Sequence, residues 1–245
     1  MTERNKVALV TGASRGIGAS IALRLAKDGF TVVVNYAGNK SAAEQVVTRI
    51  TEAGGQAIAH QADVSDANAV RAMFDQVENV FGSIDVLVNN AGIMDLQPLA
   101  KADEQHVDRQ IDINLKGTIN TLREASTRLN HGGRVINFST SVVGLKLENY
   151  GVYAATKAAV ETLTAIMAKE MRGKEITVNV IAPGPTATDL FLKGKSDELI
   201  ERMAKMNPLE RLGTPEDIAA VVSMLASTDS GWINGQVIRA NGGVI

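Results

Sequence analysis

The sequence predicts an α/β fold of the doubly wound kind: one seven-stranded parallel sheet between two layers of helices, in a single domain spanning 1–245. Three observations predict it. Short β-branched runs alternate with helix-length segments from one end to the other, an order that right-handed crossovers wind into a three-layer sandwich. The runs are apolar throughout rather than alternating, as in strands covered on both faces. No composition break, internal repeat or linker divides the 245 residues, and a domain of that length buries a sizeable core.

The strands are expected at "KVALVT" (6–11), "TVVVNY" (31–36), "QAIAHQ" (56–61), "DVLVNN" (85–90), "RVINFS" (134–139), "ITVNVI" (176–181) and "GQVIRA" (235–240). Between them, Ile17, Ile21 and Leu25 repeat at helical spacing, as do Val107, Ile111, Leu115, Leu122 and Leu129. Ser65, Asp103 and Thr214 stand where helix N-caps are expected, the last as "TPED" with Pro215 at the first helical position. Long helices are expected over 103–129 and 150–172. The stretch from Pro183 to about Gly213 reads as irregular, and its part 189–213 as a substrate lid.

Composition narrows the function classes. Hydrophobic residues at 45% and charged residues at 21% are ordinary for a soluble globular chain. A net charge of −2 supplies no global attraction to nucleic acid or anionic membrane. No apolar run approaches the roughly 18 residues of a membrane span, and "MTERNKVALVTGAS" begins without an apolar targeting segment, so a cytoplasmic location is expected. Without cysteine there is no disulfide or thiolate, and His60, His106 and His131 lack ligand spacing, so no metal is expected.

"TGASRGIG" follows the first strand and opens the first helix. Gly12, Gly16 and Gly18 form G-x-x-x-G-x-G rather than the usual G-x-G-x-x-G. The physics is shared: a tight turn, room for pyrophosphate and helix N-terminal amides facing the anion. A strand–helix turn with glycines for sterics alone is the plain alternative. Ser14, Arg15 and Ile17 complete the set of turn residues expected at a cofactor. The second strand ends in Asn35 and Tyr36, with no carboxylate through Lys40 to bind a ribose 2′-hydroxyl. A missing carboxylate and a present Arg15 favour a 2′-phosphate, hence NADP(H) over NAD(H).

In "NYGVYAATKAAV", Tyr153 and Lys157 stand at i and i+4 and share a helix face. They read either as packed side chains with polar tips or as a phenol tuned by an ammonium. At about 4–5 Å and an effective dielectric near 20, the ammonium favours the phenolate by roughly 3–4 kcal/mol, with desolvation opposing. That would bring the phenol toward general acid–base work at neutral pH.

With the glycine turn, "NNAG" (89–92), "YAATK" (153–157) and "APGPTATDL" (182–190) in this order, the chain resembles the short-chain dehydrogenase/reductase family. Within it, the chain looks like the bacterial 3-oxoacyl-carrier-protein-reductase-like and related carbonyl reductases. The resemblance covers essentially the whole chain and implies a Rossmann-type sheet. It implies that Asp63 and Val64 meet the adenine, and that Asn90, Ala91 and Gly92 line the cofactor cleft. Pro183, Gly184, Thr186 and Thr188 would border the nicotinamide. Tyr153 would be the acid, Lys157 would tune it and bond the nicotinamide ribose, and Asn114 would hold a water in the proton path. Read alone, Asn114 is a helix asparagine on a mostly buried face.

The family also places a serine hydroxyl after the fifth strand. Here S-x-x-G picks Ser141, while counting from the strand, or back from Tyr153 by the family's spacing, picks Thr140. A one-residue bulge would aim Ser141 at the site; Ser141 is the preferred reading and Thr140 stays open. Ser139 would point to the opposite face from Thr140. Met94, Val142, Leu145, Leu147, Tyr150, Phe191 and Leu192 follow motif positions and offer an apolar pocket. Arg128, Arg172 and Lys174 are candidates to meet an acidic carrier protein. The resemblance implies a homotetramer, or else a dimer, and NADPH-dependent reduction of a ketone or aldehyde, including a 3-oxoacyl thioester. The alternatives are an alcohol, polyol or steroid dehydrogenase working oxidatively, and a cofactor-binding scaffold without catalysis.

Overall fold

The computed structural model of the chain describes residues 5–245. Residues 1–4, on which part of the expectation about the start of the chain falls, lie outside the described residues. In order, the elements are β1 (Val7–Val10), α1 (Gly16–Lys27), β2 (Thr31–Tyr36), α2 (Lys40–Glu52), β3 (Gln56–Gln61), α3 (Ala67–Phe81) and β4 (Ile84–Asn89). Then come α4 (Glu104–Gln110), a π-helical stretch Ile111–Lys116, α5 (Gly117–Arg128), β5 (Leu129–Phe138), α6 (Val142–Leu145) and α7 (Gly151–Glu170). The chain closes with β6 (Thr177–Pro183), α8 (Asp189–Leu192), α9 (Asp197–Ala204), α10 (Pro215–Ala226) and β7 (Val237–Ala240). The strands form one sheet in the order β3-β2-β1-β4-β5-β6-β7, every pair parallel.

The pleat explains how the apolar runs are used. Ala8 and Val10 of β1, with Val32 and Val34 of β2, pack under Ile21, Leu25, Ile50 and Val222 of α1, α2 and α10. Their neighbours Val7, Leu9 and Val33 face the other way, onto Phe74 and Val77 of α3 and Leu122 of α5. Successive side chains thus feed two cores, so a central strand needs an apolar residue at every position. The edges depart from that expectation. Only half-buried residues fill the middle of β3, and β7 alternates exposed and half-buried, because each has a single neighbouring strand.

Local chemistry moved several boundaries. The cap before α3 is Asp66, not Ser65: the Asp66 carboxylate accepts from the N–H groups of Asn68 and Ala69, whereas the Ser65 hydroxyl turns back to Asp63 Oδ1 at 2.8 Å. Asp103 caps α4 through the His106 N–H. The helix expected over 103–129 is helical throughout its course but widens to a π-stretch at Ile111–Lys116, a device that recurs at functional sites. The stretch 183–213, expected to be irregular, carries the short helices α8 and α9. No helix of the described residues is long and apolar enough to cross a membrane.

The start of α10 is the best-built cap. The Thr214 side chain accepts from the Asp217 N–H at 3.2 Å, and Asp217 Oδ2 accepts from the Thr214 N–H at 2.8 Å, a reciprocal pair that satisfies two orphan donors. Thr214→Ala is expected to lower the unfolding free energy by about 1 kcal/mol in urea titration, with the m-value unchanged.

Candidate functional site

Between β1 and β4 the strand order reverses direction, and the crevice at the carboxyl ends of the strands opens there. Its larger part, about 460 Å³, is lined by Gly12, Ser14, Arg15, Gly16, Ile17, Gly18, Tyr36, Asp63, Val64, Asn90, Ala91, Gly92 and Thr188. All of these were expected from the sequence. The turn is shaped for a close-approaching ligand: Gly12 has φ +62°, and a Cβ at Gly18 would lie 2.4 Å from the Gly12 carbonyl oxygen and 2.5 Å from Asn90 Nδ2. Asn90 Nδ2 donates to the carbonyls of Thr11 and Gly12 at 2.9 and 3.1 Å. Ala91 N–H donates to Thr11 Oγ1 at 3.0 Å.

Asn35 also lines this cleft, as expected at the end of the second strand. It is buried under the turn; its Oδ1 accepts from the Gly12 N–H at 3.2 Å and its Nδ2 donates to the Ala62 carbonyl at 3.0 Å. Its amide braces the glycine turn from within the cleft wall. The rim near Arg15 and Tyr36 is completed by Ala37, Gly38 and Asn39, which the sequence reading missed. Asn39 caps α2, its Oδ1 accepting from the Ala42 N–H at 3.0 Å. The cap pattern "NKSA" was the signal that pointed there.

A second cavity of about 150 Å³ adjoins the first, sharing Ile17, Asn90, Gly92, Ile93, Thr188 and Leu190 with it. Thr140, Ser141, Tyr153, Lys157, Pro183, Gly184 and Thr186 line it. Apolar walls come from Met94, Val142, Leu145, Leu147, Tyr150 and Phe191, as expected, and also from Leu190, Met203 and Met206. Leu192 is not among the lining residues; Leu190 takes that role. Met203 and Met206 escaped notice because only folding of α9 over the crevice brings them there.

The two hydroxyls after β5 part company. The parallel ladder with β6 runs on regularly, Ser139 N–H donating to Ile181 O and Ser141 N–H to Pro183 O, so no bulge intervenes. Ser141 is 2% exposed, and its Oγ accepts from Asn241 Nδ2 at 3.0 Å. Thr140 is the side chain near the Tyr153 phenol that favours its ionised form. Both hydroxyls line the smaller cavity; the regular register turns Ser141 toward Asn241 and sets Thr140 nearer the phenol.

Lys157 is 4% exposed; its Nζ donates to the Phe138 carbonyl at 3.0 Å and lies 6.0 Å from the centre of the Tyr153 ring. Burial lowers its pKa to about 8. Burial also pushes the Tyr153 phenol up to about 12, against the influence of Thr140, with Tyr150 adding to the rise. The expected downward tuning of the phenol is thus reversed in the protein alone: desolvation opposes charge on both groups, and the ammonium is directed at a carbonyl. A Cβ on Gly92 would stand 3.1 Å from Asn114 Oδ1 and 3.4 Å from Lys157 Nζ. Asn114 itself is fully buried behind the crevice, where its amide accepts from and donates to the backbone of Ile93 at 2.8 and 2.9 Å. Of the cations considered for a carrier protein, Arg128 is held by Asp75, Glu78 and Glu124, which keep its pKa well above the ordinary value, so it is not free for that role.

Residues 12–245 match the family model described as Enoyl-(Acyl carrier protein) reductase. The chain is 47% identical to a 3-oxoacyl-acyl-carrier-protein reductase of Staphylococcus aureus, with 98% of each chain covered. It is 46% identical to NADPH-dependent aldehyde reductase 2, chloroplastic, of Arabidopsis thaliana, covering 98% of this chain and 94% of that one. Among solved structures, a short chain dehydrogenase from Burkholderia cenocepacia in complex with NADP superposes with a TM-score of 0.92 at 35% identity, covering 98% of this chain and 97% of that one.

The bracing of the glycine turn yields a direct test. Asn35→Leu leaves the Gly12 N–H and the Ala62 carbonyl without their side-chain partner and is expected to cost about 2–3 kcal/mol of stability. Thermal unfolding and nucleotide titration should fall together.

Proposed function

The chain belongs to the short-chain dehydrogenase/reductase family, and we propose that it is an NADP(H)-dependent enzyme that reduces a ketone or aldehyde to the alcohol. The observation that carries this reading is the convergence of Thr140, Tyr153 and Lys157 in the smaller cavity, which adjoins the larger cleft. The larger cleft fits a dinucleotide: its glycine turn leaves no room for a Cβ at Gly18, and α1 presents its N-terminal amides to it. Arg15, exposed at the rim with no carboxylate near it in the strand end, suits a 2′-phosphate. Asp63 and Val64 suit the adenine side, and Pro183, Gly184, Thr186 and Thr188 the nicotinamide side.

Bound NADPH supplies hydride to the carbonyl carbon. The protein's task is the proton. Held near pKa 12 by burial, Tyr153 is protonated at neutral pH and donates its phenolic hydrogen to the carbonyl oxygen as negative charge develops there. Thr140 donates a second hydrogen bond in the same place. Lys157, a cation on the same helix face, stabilises the phenolate left behind.

Among the described residues, Lys157 is the only charged side chain lining the smaller cavity, so the substrate is an uncharged carbonyl compound or the acyl end of a 3-oxoacyl thioester. Segment 189–213 serves as the lid, since Leu190, Phe191, Met203 and Met206 roof that cavity. Self-association as a homotetramer, or a dimer, accords with exposed apolar side chains such as Ile166 on α7 and Trp232 and Val237 near the open edge of the sheet.

The test is a panel of ketones, aldehydes and 3-oxoacyl thioesters followed by nicotinamide absorbance with NADPH and with NADH. The expected result is turnover with NADPH preferred, lost by roughly 10³-fold or more in Tyr153→Phe while NADPH binding persists. Thr140→Val should cost about 10²-fold in kcat, and Ser141→Ala less than about tenfold. Wild-type protein inert toward the whole panel would sink the reading in favour of a cofactor-binding scaffold.

A further inference from the structure

The end of β5 is fastened to α7 at three successive residues, and one fastener lies outside the machinery described above. Phe138 O accepts from Lys157 Nζ at 3.0 Å, Thr140 meets Tyr153, and between them the Ser139 hydroxyl donates to Glu161 Oε1 at 2.5 Å. Tyr153, Lys157 and Glu161 are spaced i, i+4 and i+8, so one helix face carries all three. Ser139 is 4% exposed and Glu161 half-buried, and a hydroxyl-to-carboxylate bond is among the stronger neutral-to-charged contacts.

We propose, resting on the reductase reading, that Glu161 is a positioning residue for the proton-transfer step. Its bond to Ser139 sets the register between the strand end and the helix, and that register brings Thr140 to the Tyr153 phenol. Thr140 directly follows Ser139 and precedes the turn into α6, whose first residue's N–H bonds back to Thr140 Oγ1 at 3.3 Å. On the sheet side, backbone bonds to Ile181 and Pro183 hold residues 139 and 141. On the helix side, Glu161 is the side chain that grips the residue before Thr140. Donor misplacement on the order of 1 Å costs about 10²-fold in rate. Glu161 makes no bond in the nucleotide cleft, so its loss should appear in kcat and leave cofactor affinity alone.

The experiment compares Glu161→Ala, Glu161→Gln, Ser139→Ala and the Ser139→Ala/Glu161→Ala pair with wild type on the best carbonyl of the panel. Glu161→Ala should lower kcat by roughly 10- to 100-fold, with KM and NADPH Kd within about twofold. Its solvent deuterium isotope effect on kcat should rise, because proton delivery becomes slower relative to hydride transfer. Glu161→Gln keeps an acceptor oxygen and should retain most of the activity, and the double variant should be no worse than either single one. Unchanged kcat and isotope effect in Glu161→Ala, equal losses in Gln and Ala, or additive losses in the pair would overturn the inference. If Glu161→Ala does not fold, Ser139→Ala and Glu161→Gln decide on the same readouts. An inert wild type overturns the reductase reading, and this inference with it.

Discussion

A buried ammonium governs this molecule. Lys157 is almost wholly withdrawn from solvent, and its Nζ donates to the carbonyl of Phe138 at 3.0 Å. Withdrawing a cation from water is costly unless dipoles surround it, and here the cost shows as a pKa lowered to about 8. A position of this kind persists only where the neighbouring backbone is held firmly. The strand end that presents the Phe138 carbonyl is held by the parallel ladder to β6 on one side and by α7 on the other.

The scaffold explains where the site lies. Both faces of the central strands are packed, which leaves only the strand ends open to a ligand. At the switch between β1 and β4, the crossovers leave in opposite directions and cannot fill the space between them. Into that space the chain places backbone rather than side chains at Gly12, Gly18 and Gly92. Two asparagines, Asn35 below and Asn90 beside, hold the turn open by satisfying its peptide groups. The smaller cavity continues from there under α8 and α9, with apolar walls.

Much of this was legible in the residues. The uninterrupted β-branched runs gave the sheet because burial on both faces leaves no other composition, and the glycine spacing gave the crevice because sterics permit little else. Legibility failed where two adjacent residues have equal chemistry. Ser65 and Asp66 can both cap a helix, and Thr140 and Ser141 can both donate a hydroxyl; only the hydrogen-bond register separates each pair. The sign of the Tyr153 shift was missed for another reason: the spacing of two side chains shows their attraction, but not how much water each has lost. Met203 and Met206 were invisible because no local pattern ties a lid helix to a cavity.

The state of Lys157 is the point at which the account is most exposed. NMR titration of lysine ε-carbons in the intact protein, with the signal assigned by its absence in Lys157→Arg, measures it directly. The account predicts a midpoint near 8, well below the ordinary value of 10.5. A midpoint at or above 10.5 would mean that the amine is solvated or paired elsewhere, and would contradict the buried cation on which the proton chemistry rests.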